Sequence, residues 1–199
     1  MVDLLLKDAE ALDPGTGLRG RRHIAIEGGR VARIAAPRAK AVEAKRTIDL
    51  RGRLTVPGLI DLHAHVYHGV VRMNIDADLA GVLSGVTTIM DCGSAGCYTF
   101  IPPHLHPPTR TRLLYLLHIA RTGLAFTPEM RTLEDVNYEA TVALLRRYPH
   151  ILKGVKIRAI KYASDELGME AVRLAKRAAR ETGTRFMMHI GDPMARGPV

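Results

Sequence analysis

Cysteine is scarce. Cys92 and Cys97 are the only two in 199 residues, too few for a disulfide framework. Long apolar runs are missing as well. No stretch approaches the ~20 residues that a membrane span needs. Asp3, Lys7, Asp8 and Glu10 interrupt the N-terminus where a secretory signal would carry its apolar core. The composition has no disorder signature, because 47% of residues are hydrophobic, enough for a packed core. Aromatic residues are few, at 5%. The formal charge of +9 comes mainly from arginines spread along the chain in short local clusters. A nucleic-acid surface gathers its basic residues and adds stacking aromatics, and neither pattern is here. These absences predict a cytoplasmic protein with no nucleic-acid partner and no membrane span.

The chain changes character near residue 56. Residues 1–55 read as short strands: Val2–Lys7, then His23–Ile26 and Val31–Ile34 around a Gly28-Gly29 hairpin turn, then Thr47–Leu50. Such a unit is too small for a good core of its own. From Val56 strands alternate with helices, the pattern of a parallel sheet. The strands are expected at 56–65, 86–90, 113–120, 152–158 and 184–190. Helices are expected near 76–84, where Asp76 or Asp78 begins the element, from about Thr109, over 133–147 and over 165–182. A loop rich in Pro and Gly should span 91–108.

The first of these strands carries the clearest chemistry. Val56-Pro57-Gly58-Leu59-Ile60-Asp61-Leu62-His63-Ala64-His65 begins at a chain break and ends in two histidines. The strand period of two puts His63 and His65 on one side, a ready pair of metal ligands. Downstream come Asp91-Cys92-Gly93-Ser94-Ala95-Gly96, Gly154-Val155-Lys156-Ile157-Arg158 and Met187-Met188-His189-Ile190-Gly191. Four motifs in this order resemble the amidohydrolase superfamily, and within it the dihydroorotase-like deacetylase branch.

The resemblance implies an α/β fold: strands one to five of a (β/α)8 barrel over 56–199, preceded by a β-sandwich segment over 1–55. It implies a binuclear hydrolase acting on an amide, cyclic amide or ester. His63 and His65 would hold one divalent ion and His189 the other, with zinc the first choice and manganese and iron also accepted. Alternation turns Lys156 to the barrel interior and sends Val155 and Ile157 to the outer helices. Burial would push such a lysine below its usual pKa of about 10.4, and a neutral amine can take up CO2. In the family the matching lysine bears that carbamate and bridges the ions, which lower the pKa of a shared water. An internal ion pair with a barrel carboxylate is the competing role for Lys156.

Several candidates are less specific. Gly93-Ser94-Ala95-Gly96 could cradle a substrate anion with backbone N–H groups, Ser94 among them, or simply turn. Arg158 could meet a substrate carboxylate or an internal acid. His118 lines the pocket or packs as a core histidine. His104 and His106 form a second H-x-H, expected in a solvated loop. Cys92 and Cys97 are not needed as ligands. A barrel requires eight strands and ~250 residues. The family also uses a strand-six histidine and a strand-eight aspartate, and Asp192 reads only as a loop residue. The expectation is therefore a truncated enzyme with an open strand-five edge, prone to homo-oligomerise. The alternatives are a catalytically incomplete metal-binding fragment or pseudoenzyme, and, less favoured, ring opening of the dihydroorotase or hydantoinase type.

Overall fold

The structure, a computed structural model, describes residues 1–40, 42–160 and 167–191. The chain divides into two compact units, Met1–Gly58 and the residues from Leu59 onward.

The first unit is one five-stranded sheet. Its strands are β1 (Val2–Asp13), β2 (Leu18–Glu27), β3 (Arg30–Ala35), β4 (Ala44–Asp49) and β5 (Leu54–Thr55). The order is β3-β2-β1-β4, with β5 also paired to β1. The β2–β3 hairpin turns at Gly28 and Gly29, both at positive φ (55° and 73°), as a two-residue turn of this kind requires. β1 is longer than its sequence predicts. A bulge at Asp8 (φ 59°) shifts the register between Leu6 and Ala9. One extra residue reverses the alternation, so Leu6, Ala9 and Ala11 share the face that packs on Ile24. Asp8 donates its N–H to His23 Nδ1 at 3.1 Å, and Arg21 pairs with its carboxylate. A second sheet layer over this one is not found among the described residues of the unit.

The second unit is a curled parallel sheet in sequential order: β6 (Leu59–Ala64), β7 (Val86–Gly96), β8 (Arg112–His118), β9 (Leu152–Arg158) and β10 (Arg185–His189). This is a curled parallel half-barrel of five strands. β9 matches its expected span residue for residue. Val155 and Ile157 are fully buried, in one cluster with Val142 and Leu145 of α2 (Tyr138–Arg147) and Ala171, Ala175 and Ala178 of α3 (Gly168–Glu181). The alanines let α3 lie close against the sheet. β6 and β10 are the sheet edges. Leu59, Ile60 and Leu62 on β6 and Ile190 beyond β10 are each more than half exposed.

Other expectations need correcting. The helix near 76–84 is two pieces: α1 (Ala77–Ala80), capped by Asp76, and a 3-10 turn over Val82–Ser84, broken at Gly81. No helix starts at Thr109. Asp78 instead accepts from Arg110 N, Thr111 N and Thr111 Oγ1, which holds that stretch extended into β8. The 133–147 helix is a capped 3-10 turn followed by α2, which Asn137 caps. β7 continues to Gly96, where a loop was expected. The first residues of the 165–182 helix, and Asp192, lie outside the described residues.

Candidate metal centre

The C-terminal ends of β6, β9 and β10 bring His63, His65, Lys156 and His189 together. The rings of His63 and His65 lie 5.7 Å apart and nearly perpendicular. Those of His63 and His189 lie 6.3 Å apart. Lys156 Nζ is 3.4 Å from His63 Nε2 and 3.8 Å from Met187 Sδ.

Lys156 is 2% exposed, and no carboxylate lies within ion-pair distance of it among the described residues. The internal ion pair that competed for its role is therefore not formed. Burial pushes the Lys156 amine below its ordinary pKa. Burial, reinforced by Lys156, likewise lowers His63, and burial lowers His65 and His189. All four groups are thus biased toward neutral forms with a free lone pair.

β7 supplies the support under this cluster. Asp91 is buried and accepts from Val66 N at 2.8 Å and from Ser94 N at 2.9 Å. The Ser94 hydroxyl donates to Asp91 Oδ2 at 2.8 Å and lies 2.9 Å from His65 Nδ1. A hydroxyl has one hydrogen, so with that hydrogen on Asp91, Ser94 accepts from His65 Nδ1–H. The lone pair of His65 is then on Nε2. Gly93 makes room for the lysine. It has φ 84°, and a Cβ there would fall 2.6 Å from Lys156 Cγ. This is why a segment with loop-like composition runs on as an irregular strand: the register slips between Cys92 and Gly96.

This geometry places three further candidates. Ser94 is completely buried, and its hydroxyl and N–H are both committed internally, as is Gly96 N–H to Thr99. Its hydroxyl supports His65, and both of its donors go to Asp91. His118 is also completely buried, as its core reading expects. Arg158 forms a close ion pair with Glu129, whose carboxylate is about as buried as Lys156. Cys92 donates its thiol to Leu62 O, and burial raises that thiol to about 11. His106 packs edge-on against Tyr67 at 4.7 Å, with Nε2 3.0 Å from Ile101 O; it does not join the site.

Asp91 and Glu129 are the residues that the sequence did not single out. Asp91 had a signal: a carboxylate three residues before a serine can close back on its N–H and hydroxyl. Glu129 has none, since its partner is distant in sequence. Among the described residues, no three His, Cys, Asp or Glu side chains close around one point. The histidines alone are not a metal cage. Three imidazoles around a buried amine that lacks a counter-charge do have the donor chemistry of a site completed by an anion on that amine.

A parallel half-barrel with histidines and a lysine at its strand ends defines the class, and the comparisons agree with it. No family model matches the chain. A deacetylase from Agrobacterium fabrum is 29% identical, over 96% of this chain and 49% of its own length. The crystal structure of a dihydroorotase superposes with a TM-score of 0.86 at 27% identity, over 97% of this chain and 52% of that one. An adenine deaminase structure gives 0.84 at 27% identity, over 97% and 51%. These relatives point to the amidohydrolase superfamily, and the chain spans about half the length of the relatives it matches.

Proposed function

We propose that the chain carries the histidine–lysine portion of the active site of a metal-dependent amidohydrolase. The reaction is hydrolysis of an amide, cyclic amide or ester of a small molecule, with deacetylation preferred because the deacetylase matched over 96% of this chain is 29% identical, against 22% for a dihydroorotase matched over 98%. In this reading His63 and His65 hold one divalent ion and His189 the other, zinc being the first choice. A carbamate on Lys156 joins them. Such ions, when bound, lower the pKa of water and polarise a carbonyl. The chain's own groups prepare the place: Ser94 and Asp91 turn the His65 lone pair inward, Gly93 admits the lysine stem, and burial keeps the amine neutral enough to react with CO2. Arg158 reaches substrate only through the part of its guanidinium that Glu129 leaves free.

The observation that carries the reading is Lys156, buried beside His63 with no acid within ion-pair distance among the described residues. The test is zinc content after dialysis, for the wild type and for Lys156→Ala. Zinc bound by the wild type and lost in the variant supports the site; equal, stoichiometric zinc in both rules it out. The edges of β6 and β10 favour a second reading, a fragment that binds metal and does not turn over. A metal-loaded chain inactive on N-acetylated and O-acetylated acids, beside an active longer form, would select it.

A further inference from the structure

His118 is half satisfied. Its Nδ1 accepts from Ala120 N at 3.0 Å. The neutral ring therefore carries its hydrogen on Nε2. That Nε2 is buried and has no hydrogen-bond partner among the described residues. Buried N–H groups are seldom left so.

The surroundings indicate what is wanting. His118 and Lys156 are register partners on β8 and β9, so both side chains stand on the same face. The point that a Gly93 Cβ would occupy is 3.3 Å from His118 Cδ2, the atom bonded to Nε2, and 2.6 Å from Lys156 Cγ. His118 Cδ2 and Lys156 Cγ therefore lie at most 5.9 Å apart, on either side of the space that Gly93 leaves. Arg158 Nε, also on β9, is a second buried donor without a partner. The unpartnered acceptor, Glu129 Oε2, belongs to the carboxylate that already pairs with Arg158. Among the described residues the unpartnered buried donors, His118 Nε2 and Arg158 Nε, outnumber the one unpartnered acceptor.

We propose that His118 is a positioning residue whose Nε2–H donates to a carbamate on Lys156. The inference rests on the carbamate reading above. In the step that makes the acceptor, the Lys156 nitrogen lone pair forms a bond to the carbon of CO2. One C=O π pair becomes the oxyanion, and the ammonium-like proton on nitrogen passes to water. The new oxygens supply what the buried donors lack. His118 then holds the carbamate in one rotamer and slows its reversal.

Two substitutions separate this role from the structural one. In His118→Asn the side-chain oxygen takes the place of Nδ1 and keeps the Ala120 bond, but nothing replaces Nε2–H. In His118→Gln the amide reaches the Nε2 position, and the Ala120 bond is lost. The full chain with zinc is titrated with 13C-bicarbonate, and the carbamate signal is read by 13C NMR on the folded fraction; Lys156→Arg assigns the signal. The expected result is a bicarbonate midpoint raised about tenfold or more in His118→Asn, the scale of a lost hydrogen bond to a charged group. His118→Gln should keep a midpoint near wild type with a lower Tm. A wild-type midpoint in His118→Asn overturns the proposal, as does a midpoint in folded His118→Gln raised as far as in His118→Asn. Absence of any Lys156-dependent signal in the wild type overturns the carbamate reading and this inference with it.

Discussion

Gly93→Ala tests the cradle under Lys156 most directly. The residue sits at φ 84°, and the new methyl would lie 2.6 Å from Lys156 Cγ and 2.7 Å from its Cβ. Two costs add. The left-handed backbone costs a non-glycine residue about 1–2 kcal/mol. Overpacking at a buried site costs about 1–3 kcal/mol more, since the lysine stem must move by roughly 1 Å to restore contact distance. Gly183 offers the control in the same unit: φ is 63° and a Cβ there meets nothing within 4 Å. Gly183→Ala should show the backbone cost alone. Denaturant unfolding and zinc per chain are measured for both. Gly93→Ala should lose about 1–3 kcal/mol more than Gly183→Ala, and should lose zinc. Equal destabilisation of the two variants, with zinc retained in both, would refute the idea that Gly93 exists to seat Lys156.

Other outcomes follow from the same geometry. His63→Ala and His65→Ala should each lose metal after dialysis; full retention in both would dismiss the β6 ligands. Ser94→Ala should release His65 from a single tautomer, seen as mixed ring 15N shifts in the metal-free chain, and weaken zinc binding about 10- to 100-fold, while Ser94→Thr keeps both properties. Lys153→Ala should be silent, because Lys153 Nζ only meets Pro149 O at the surface, whereas Lys156→Ala in an active longer form should lose its rate and regain part of it with a short carboxylic acid. Asp78 accepts first from Arg110 N, then from Thr111, which lowers its pKa below the usual carboxylate value. Its folded pKa is depressed, so its contribution is present above about pH 4 and fades as pH falls through the folded value. Asp78→Asn should reduce Tm at pH 7 and flatten that acid dependence.

What the sequence made legible was whatever one strand's alternation decides. In β9 a lysine stands between two β-branched residues, so a register error would have buried both faces differently. The observed burial of Val155, Lys156 and Ile157 follows that alternation. The span of β7 was not legible. Asp91 to Gly96 reads as loop because glycine and serine dominate it, yet its backbone stays in the sheet while its side chains serve β6 and β9. Asp91 and Ser94 matter through His65, 29 residues before Ser94. Glu129 matters through Arg158, on the other side of α2. Such partnerships depend on which strands become neighbours, and no local pattern encodes them. The second H-x-H is the converse case, in which spacing alone would mislead. His106 has the right spacing and the wrong surroundings, two tyrosines and a backbone carbonyl.

His63 and His189 stand on the two outermost strands of the five-stranded sheet. Laid flat, strands four spacings apart would be roughly 19 Å from one another. Their rings are 6.3 Å apart. The site is therefore a product of curvature, and the distance between these two residues measures how far the sheet is rolled. Ions that joined the two strand ends would act as a clasp on that roll, so their binding energy would include the elastic work of bending β6 toward β10. Affinity for metal and stiffness of the sheet become one linked quantity, and a substitution that flattens the sheet far from any ligand would be felt first as weaker metal binding.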